Sequence, residues 1–347
     1  MPAYGRARRR GPRGPTVLIP SPEMRVLVTG GAGYIGSVIA ARLLARGHEV
    51  TVYDDLSRGH AAAVPPTAAL VRGDVRDTDG LRGSIAEAGA EAVVHMAALA
   101  EVGESVTHPQ RYHEVNVDGT AAVIAAAHAA GVRRLVFSST AAVYGDPARV
   151  PIEEGDRLAP TNPYGETKLA SERLLAAAGD LTFVALRYFN ACGADGERGE
   201  DHDPESHLVP LALRAAAAGS PLRVFGDDYP TPDGTCVRDY VHVVDLADAH
   251  ILALEGLPAV HGAFNLGTGS GDSVLTVLET VERVTGRPLR RLAAPRRPGD
   301  PPTLVASNER ARRTIGWRPR HTLADAVRDV WAWMQSHPDG YGDVSRS

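Results

Sequence analysis

The run TGGAGYIG at residues 29–36 constrains the fold of this chain more than any other stretch. Gly30, Gly33 and Gly36 recur at every third position, after an apolar run (Arg25–Thr29) and before a helical pattern (Tyr34–Arg46). A strand, a glycine turn and a helix in that order make an anion-binding corner. Glycine lets the backbone approach a pyrophosphate, and the first helical turn leaves unpaired N–H groups that favour negative charge. The spacing therefore predicts a dinucleotide on Gly30, Gly33 and Gly36, with Tyr34 and Ile35 opening the helix beneath it. Asp54 ends the next apolar run, 18 residues after Gly36. A carboxylate there accepts ribose hydroxyls and repels a 2′-phosphate, and Asp55 reinforces the repulsion, so NAD is expected rather than NADP. Ser57 in the following loop, and Asp74-Val75 at the end of a third strand, are candidates for the adenosine end.

From Met24 onward, short apolar runs alternate with helical patterns. Glu49–Asp54, Ala68–Asp74, Ala92–Met96, Leu135–Ser139 and Phe183–Arg187 read as buried strands, with helices near 79–88, 110–130 and 163–178. That alternation predicts an α/β Rossmann domain, a doubly wound parallel sheet covered on both faces. After Arg187 the rhythm breaks into Gly-, Pro-, Asp- and His-rich stretches at 193–206 and Tyr229–Thr235. Two later helices, 273–285 and 322–335, suggest a smaller carboxy-terminal substrate-binding lobe. The expected division is a basic, disordered extension over 1–23, an NAD-binding domain over 24–190 to which some later segments return, and a substrate lobe over 191–340.

Composition narrows the partners. The net charge of -5 argues against an electrostatic nucleic-acid binder, and no run reaches the roughly 18 apolar residues that span a bilayer. Cys192 and Cys236 are too few and too isolated for a disulfide framework or a paired-cysteine metal site. A cytoplasmic protein with no membrane or nucleic-acid partner is expected.

Tyr164 and Lys168 lie in NPYGETKLASE, where Asn-Pro and the helix formers that follow predict a helix opening near Pro163. Four residues apart, the two share a helix face. A phenol titrates near about 10, so it is a poor base unless a neighbouring ammonium and a positive nicotinamide favour phenolate. Thr140, in FSSTAAVYG, follows a strand at the carboxyl edge of the sheet, where such folds bind ligands. Its hydroxyl is placed to bond a reacting oxygen.

With these motifs in hand, the chain resembles the extended short-chain dehydrogenase/reductase family, and within it the nucleotide-sugar 4-epimerases. The likeness covers residues 25 to about 338 and is carried by TGGAGYIGS, HMAALAEVGESV, NVDGT, SSTAAVYGD, PYGETK, LRYFNACGA, FGDDYPTPDGTCVRDYVHV and APRRPGD. The resemblance implies interconversion of UDP-glucose and UDP-galactose by transient oxidation at sugar C4, with NAD tightly held. Tyr164 is then the base, with Thr140 beside it and Lys168 on the nicotinamide ribose. Met96, Ala97, Ala98, Asn116, Ser138 and Tyr188 line the cofactor site. Asn190, His207, Leu208, Phe225, Arg238, Arg297, Asp300 and Leu304 hold the UDP-sugar, the arginines suiting phosphate by their forked geometry. A homodimer through helices 110–130 and 163–178 is implied in the same way.

Three positions depart from the family pattern or vary within it. Ala100 stands where lysine is frequent, and His207 where relatives carry Asn. Leu304, near the sugar C2 substituent, is intermediate between the large and small residues that exclude or admit N-acetylated sugars, so UDP-N-acetylhexosamines and UDP-pentoses stay open as substrates. Dehydratase chemistry is disfavoured because Ala141 and Ala142, not an acidic pair, follow Thr140, and decarboxylase chemistry because Ala142 replaces an acid. His202, Asp203, Glu205 and His207 could gather a cation, but they read as a solvated loop and no metal is expected. A non-catalytic NAD sensor would have dispensed with Tyr164 or Lys168, and both are present.

Overall fold

The computed structural model describes residues 23–297 and 299–342. The expected extension therefore lies outside the described residues, apart from Glu23. The elements run β1 (Arg25–Thr29), α1 (Tyr34–Ala45), β2 (Glu49–Asp54), β3 (Ala69–Arg72), α2 (Thr78–Glu87), β4 (Ala92–His95), α3 (Val102–Thr107), α4 (Pro109–Tyr112), α5 (Gly119–Ala129), β5 (Arg134–Thr140), α6 (Pro163–Ala176), β6 (Thr182–Tyr188) and β7 (Asn190–Cys192). There follow α7 (Leu208–Ala218), β8 (Pro221–Phe225), β9 (Val237–Arg238), β10 (Tyr240–His242), α8 (Val243–Gly256), β11 (Gly262–Leu266), β12 (Asp272–Ser273), α9 (Val274–Thr285), β13 (Arg290–Ala294), β14 (Thr303–Leu304), α10 (Glu309–Thr314) and α11 (Leu323–Ser336).

Seven strands form one sheet in the order β11-β6-β5-β4-β1-β2-β3. Every pairing in it is parallel. Residues such as Val26, Val28, Val52, Val94 and Val136 are buried because helices cover both faces, so these strands are apolar on each side rather than alternating. Strand order reverses between β1 and β4, which opens a crevice at their carboxyl ends. The glycine loop, Met96 and Thr140 all lie along that edge.

The interleaving goes further than the sequence rhythm suggests. β11 comes from the carboxy-terminal half, yet it pairs with β6 through Phe264 and Leu266. Buried residues of α8 and Trp317 join the same core as α1. A second core, built from α7, α9 and α11, forms the smaller lobe around Val209, Leu213, Val277, Leu278 and Val327. Its helices are started by local caps. Ser273 caps α9, and Thr322 and Asp325 form a reciprocal capping box on α11.

The single helix expected over 110–130 is broken. Between α4 and α5 the chain makes a wider π-helical turn over His113–Asp118. Such turns reorient side chains within a helix, and here the turn carries Asn116 to the loop after β4. Among the described residues no helix is long and apolar enough to cross a membrane.

Candidate active site

The cofactor corner begins at Gly30, whose φ of +70° suits glycine and whose N–H donates to the Tyr53 carbonyl at 2.8 Å. A Cβ there would sit 2.5 Å from the Ala97 nitrogen, so the loop after β4 can approach only because position 30 lacks one. At Gly36 a Cβ would fall 2.2 Å from the Gly30 carbonyl oxygen, which keeps the helix tight on its loop. α1 opens on Gly33 with no side-chain cap and no acidic residue in its first turn. The N–H groups of Tyr34, Ile35 and Gly36 thus open toward the crevice without a competing carboxylate. That cradle fits a dinucleotide pyrophosphate. Tyr34 reaches across it, donating through Oη to the Gly193 carbonyl at 2.6 Å.

Asp54 is buried, and each of its oxygens already takes a backbone N–H, from Ala32 at 2.9 Å and Leu56 at 2.9 Å. Burial pushes its carboxyl up while those two bonds pull it down. It ties the glycine loop to the end of β2 and keeps one lone pair on each oxygen for a ribose. Asp55 accepts from the Ser57 amide at 2.8 Å on the exposed side. Asp74 is paired outward with Arg76, whose hydrogen bond holds it below the usual carboxylate range. Val75 is buried against Gly119.

Met96 donates its amide to the Thr29 carbonyl at 2.9 Å, which continues the β1–β4 ladder into the Met96–Ala98 loop. Asn116 pins the end of that loop. Its Oδ1 accepts from the Leu99 amide at 2.8 Å, and its Nδ2 donates to the Leu99 carbonyl and to Thr167 Oγ1, each at 3.0 Å. Its amide is thereby fully engaged with protein.

The catalytic residues sit where β5 meets α6. Asn162 caps α6 by accepting from the Gly165 amide at 2.9 Å, with Pro163 at the first helical position. Thr140 ends β5 near Tyr164, and its Oγ1 accepts from the Ala142 amide at 3.1 Å. Burial pushes the Tyr164 phenol up to about 12, Thr140 acts against that, and Glu101 adds to it. Lys168 is buried, donates from Nζ to the Ser138 carbonyl at 2.8 Å and lies 5.0 Å above the Phe137 ring. Burial pushes its amine down to about 7. Burial by itself penalises both charged forms, and the expected lowering of the phenol calls for the ammonium and a nicotinamide together. Ser138 Oγ is hydrogen-bonded to Tyr188 Oη next to the pair.

The substrate candidates form two groups. Arg238 and Asp300 are ion-paired, and Arg238 also donates to Val237 O at 2.7 Å and Pro301 O at 2.9 Å. The Arg297 guanidinium lies 4.3 Å above the Phe225 ring. Asn190 opens β7, its amide donating to Asp239 O at 2.9 Å. Leu304 packs with Val143, Tyr144, Ile152 and Leu169, which brings it to the flank of α6. Leu208 begins α7 on the second core.

His207 stands apart from the arginines. Its Nδ1 lies 2.6 Å from Glu200 Oε1 and 3.3 Å from Glu205 Oε1. Glu200, His202, Glu205 and His207 bring their polar atoms within 4.8 Å of one another. Glu200, which the sequence reading passed over, takes the place it gave to Asp203. The two histidines and two carboxylates balance as an ion-pair knot in the 200–207 loop. Glu101 was missed as well, although it accepts from Ser206 Oγ at 2.5 Å and its charge reaches Tyr164.

Residues 26–267 match the family model described as the NAD dependent epimerase/dehydratase family. A UDP-glucose 4-epimerase of Streptomyces lividans is 51% identical over 325 residues, covering 92% of this chain and 98% of that protein. The fold matches a Brucella ovis UDP-glucose 4-epimerase crystallised with NAD, at TM-score 0.85 and 47% identity over 88% of this chain and 97% of the other. It also matches a Campylobacter jejuni UDP-Glc/GlcNAc 4-epimerase at TM-score 0.80 and 35% identity, over 90% and 99% of the two chains. With the glycine cradle, the tyrosine–lysine pair and this similarity together, the chain belongs to the NAD dependent epimerase/dehydratase family and is an NAD-dependent epimerase.

Proposed function

We propose that this protein interconverts UDP-glucose and UDP-galactose at sugar C4. The observation that carries the reading is the meeting of Thr140, Tyr164 and Lys168 at the carboxyl edge of the sheet, beside the glycine cradle. Bound NAD supplies a hydride acceptor and donor for C4 and a positive ring beside the phenol. Tyr164 takes the proton of the 4-hydroxyl, and the nearby Thr140 hydroxyl steers that proton. Lys168 would hold the nicotinamide ribose. The Arg238–Asp300 pair and the Arg297–Phe225 stack hold the nucleotide, with Arg238 turning to the diphosphate. Asn116 contributes by fixing the Met96–Leu99 loop. The test is incubation with UDP-galactose and UDP-N-acetylgalactosamine in parallel. A 4-epimer is expected from UDP-galactose, and product from neither sugar refutes the reading.

The protein is further proposed to be a cytoplasmic homodimer that pairs through the 110–130 and 163–178 segments. Supporting this, the adjoining α3 leaves Val102 45% and Val106 62% exposed. Both cysteines are free and buried, as suits a reducing compartment. Light scattering at micromolar concentration checks the dimer, and a monomer mass refutes it.

A further inference from the structure

Of the 37 lysines and arginines in the chain, 36 are arginine and one is lysine, Lys168. Every other cationic position uses a guanidinium, which is planar, broad and never loses its proton at ordinary pH. At 168 the chain carries instead a compact ammonium that can titrate. It is buried, so something must keep it charged.

One helical turn further along α6 lies Glu172, which is also buried. Its Oε1 accepts from Ser139 Oγ at 2.5 Å and from Arg187 Nε at 2.9 Å, and its Oε2 accepts from Arg187 Nη2 at 2.5 Å. Three successive residues of β5 therefore address three residues of α6. The Ser138 carbonyl meets Lys168, the Ser139 hydroxyl meets Glu172, and the Thr140 hydroxyl meets Tyr164. Arg187 is anchored in turn, donating from Nη1 to Tyr144 Oη at 3.0 Å, while Tyr144 donates to Asn265 Oδ1 at 2.7 Å. Nothing in the epimerase chemistry calls for so buried an ion pair behind the catalytic helix, and such a pair is costly unless fully hydrogen-bonded.

The charged groups nearest Lys168 along α6 and β6 are Glu172, one turn on, and Arg187, which is ion-paired with Glu172. Tyr164 on its own helix is a neutral phenol, and so is Tyr188 on β6. His95 on β4 is held neutral, pushed down to about 3 by burial and then by Lys168 itself. Phe137 and Ser138 on β5 offer a ring face and a carbonyl. Burial works against the Lys168 ammonium, and Glu172 works for it.

We infer that Glu172, clamped by Arg187 and Ser139 one turn along α6 from the sole lysine, is the positioning residue that keeps Lys168 in its ammonium form. This rests on the assignment of Lys168 to the catalytic pair. Because the chain has one lysine, NAD-bound protein grown on [ε-13C]lysine gives one lysine resonance whose pH titration needs no assignment. The wild-type midpoint is expected at or above about 7. Glu172→Gln should lower it by about one pH unit, a tenfold loss in the ammonium-to-amine ratio. The alkaline limb of kcat/KM should move down with it, and Glu172→Asp should restore most of the shift. Should Glu172→Gln fail to fold, Arg187→Gln, which keeps the Glu172 carboxylate but removes the cation that offsets it, should instead raise the midpoint. An unmoved midpoint in a folded variant, with kcat lowered equally at all pH, overturns the inference. The resonance reads the amine whether or not any UDP-sugar turns over, so failure of the proposed reaction is separately visible.

Discussion

Asn116→Ala separates two ways in which a residue can serve a cofactor. The Asn116 side chain makes three hydrogen bonds, two to Leu99 and one to Thr167, and no water reaches it. Truncation leaves the Leu99 amide and carbonyl without partners in a residue only 6% exposed. At about 1–3 kcal/mol for each orphaned buried group, the expected loss of stability is roughly 2–6 kcal/mol. The effect should spread to α6, because Thr167 Oγ1 donates to the Tyr164 carbonyl at 2.8 Å and so links Asn116 to the catalytic turn. Asn116→Asp keeps the acceptor for Leu99 N–H but loses both donors, so it should be damaging despite its near-identical shape. The assay is urea denaturation of the NAD-free protein, paired with measurement of NAD affinity in the same variants. Stability and NAD affinity should fall together, since the loop that faces the cofactor is what loosens. If Asn116→Ala costs less than about 0.5 kcal/mol while NAD affinity collapses, Asn116 contacts the cofactor directly and the latch reasoning is wrong.

Three further outcomes are expected. Gly30→Ala forces a Cβ to 2.5 Å from the Ala97 nitrogen at a φ of +70°, so NAD retention and thermal stability should both drop; a variant as stable as the parent with NAD bound refutes the close-approach reading. Tyr164→Phe should lower turnover by about 10²- to 10⁴-fold while leaving NAD bound, measured by released-cofactor absorbance and product assay, and unchanged turnover removes Tyr164 as the base. For His207, burial acts to lower the imidazole, but Glu200 and Glu205 outweigh it and push it up to about 11 from an ordinary 6.5. A raised folded pKa stabilises fully below the ordinary value and is lost as pH climbs through the folded one. The destabilisation caused by His207→Ala should therefore be greatest near pH 6 and shrink toward pH 10; an equal loss at both refutes the ion-pair role.

What could be read from the sequence was local. The glycine loop and the catalytic helix are each written within a dozen residues, because a turn, a cap and an i,i+4 pair are short-range devices. The strand periods gave six of the seven strands of the main sheet. β11 was missed because Gly262–Leu266 follows residues that form the other lobe, and only pairing with β6 reveals it. The break in the helix over 110–130 was illegible for a similar reason. The π turn brings Asn116 to Leu99, 17 residues away, and to Thr167, 51 residues away. Glu200 was hidden because GERGED looks like a charged loop, and its burial is imposed by His202 and His207. Asp54 was found, but its bonds to Ala32 and Leu56 show a second duty, bracing the loop, that no spacing discloses.

The tyrosine–lysine motif illustrates the same limit at the level of charge. Spacing alone suggests that an ammonium beside a phenol favours phenolate. In the folded chain the phenol rises to about 12 and the amine falls to about 7, because burial opposes both charges and the two groups do not suffice to stabilise each other. The residues that decide the balance lie outside the motif. Glu101, from the loop after β4, disfavours phenolate, whereas Thr140 favours it. Glu172, anchored by Arg187 from β6, favours the ammonium. The charge balance of the pair is therefore set by residues outside the motif and not by its spacing.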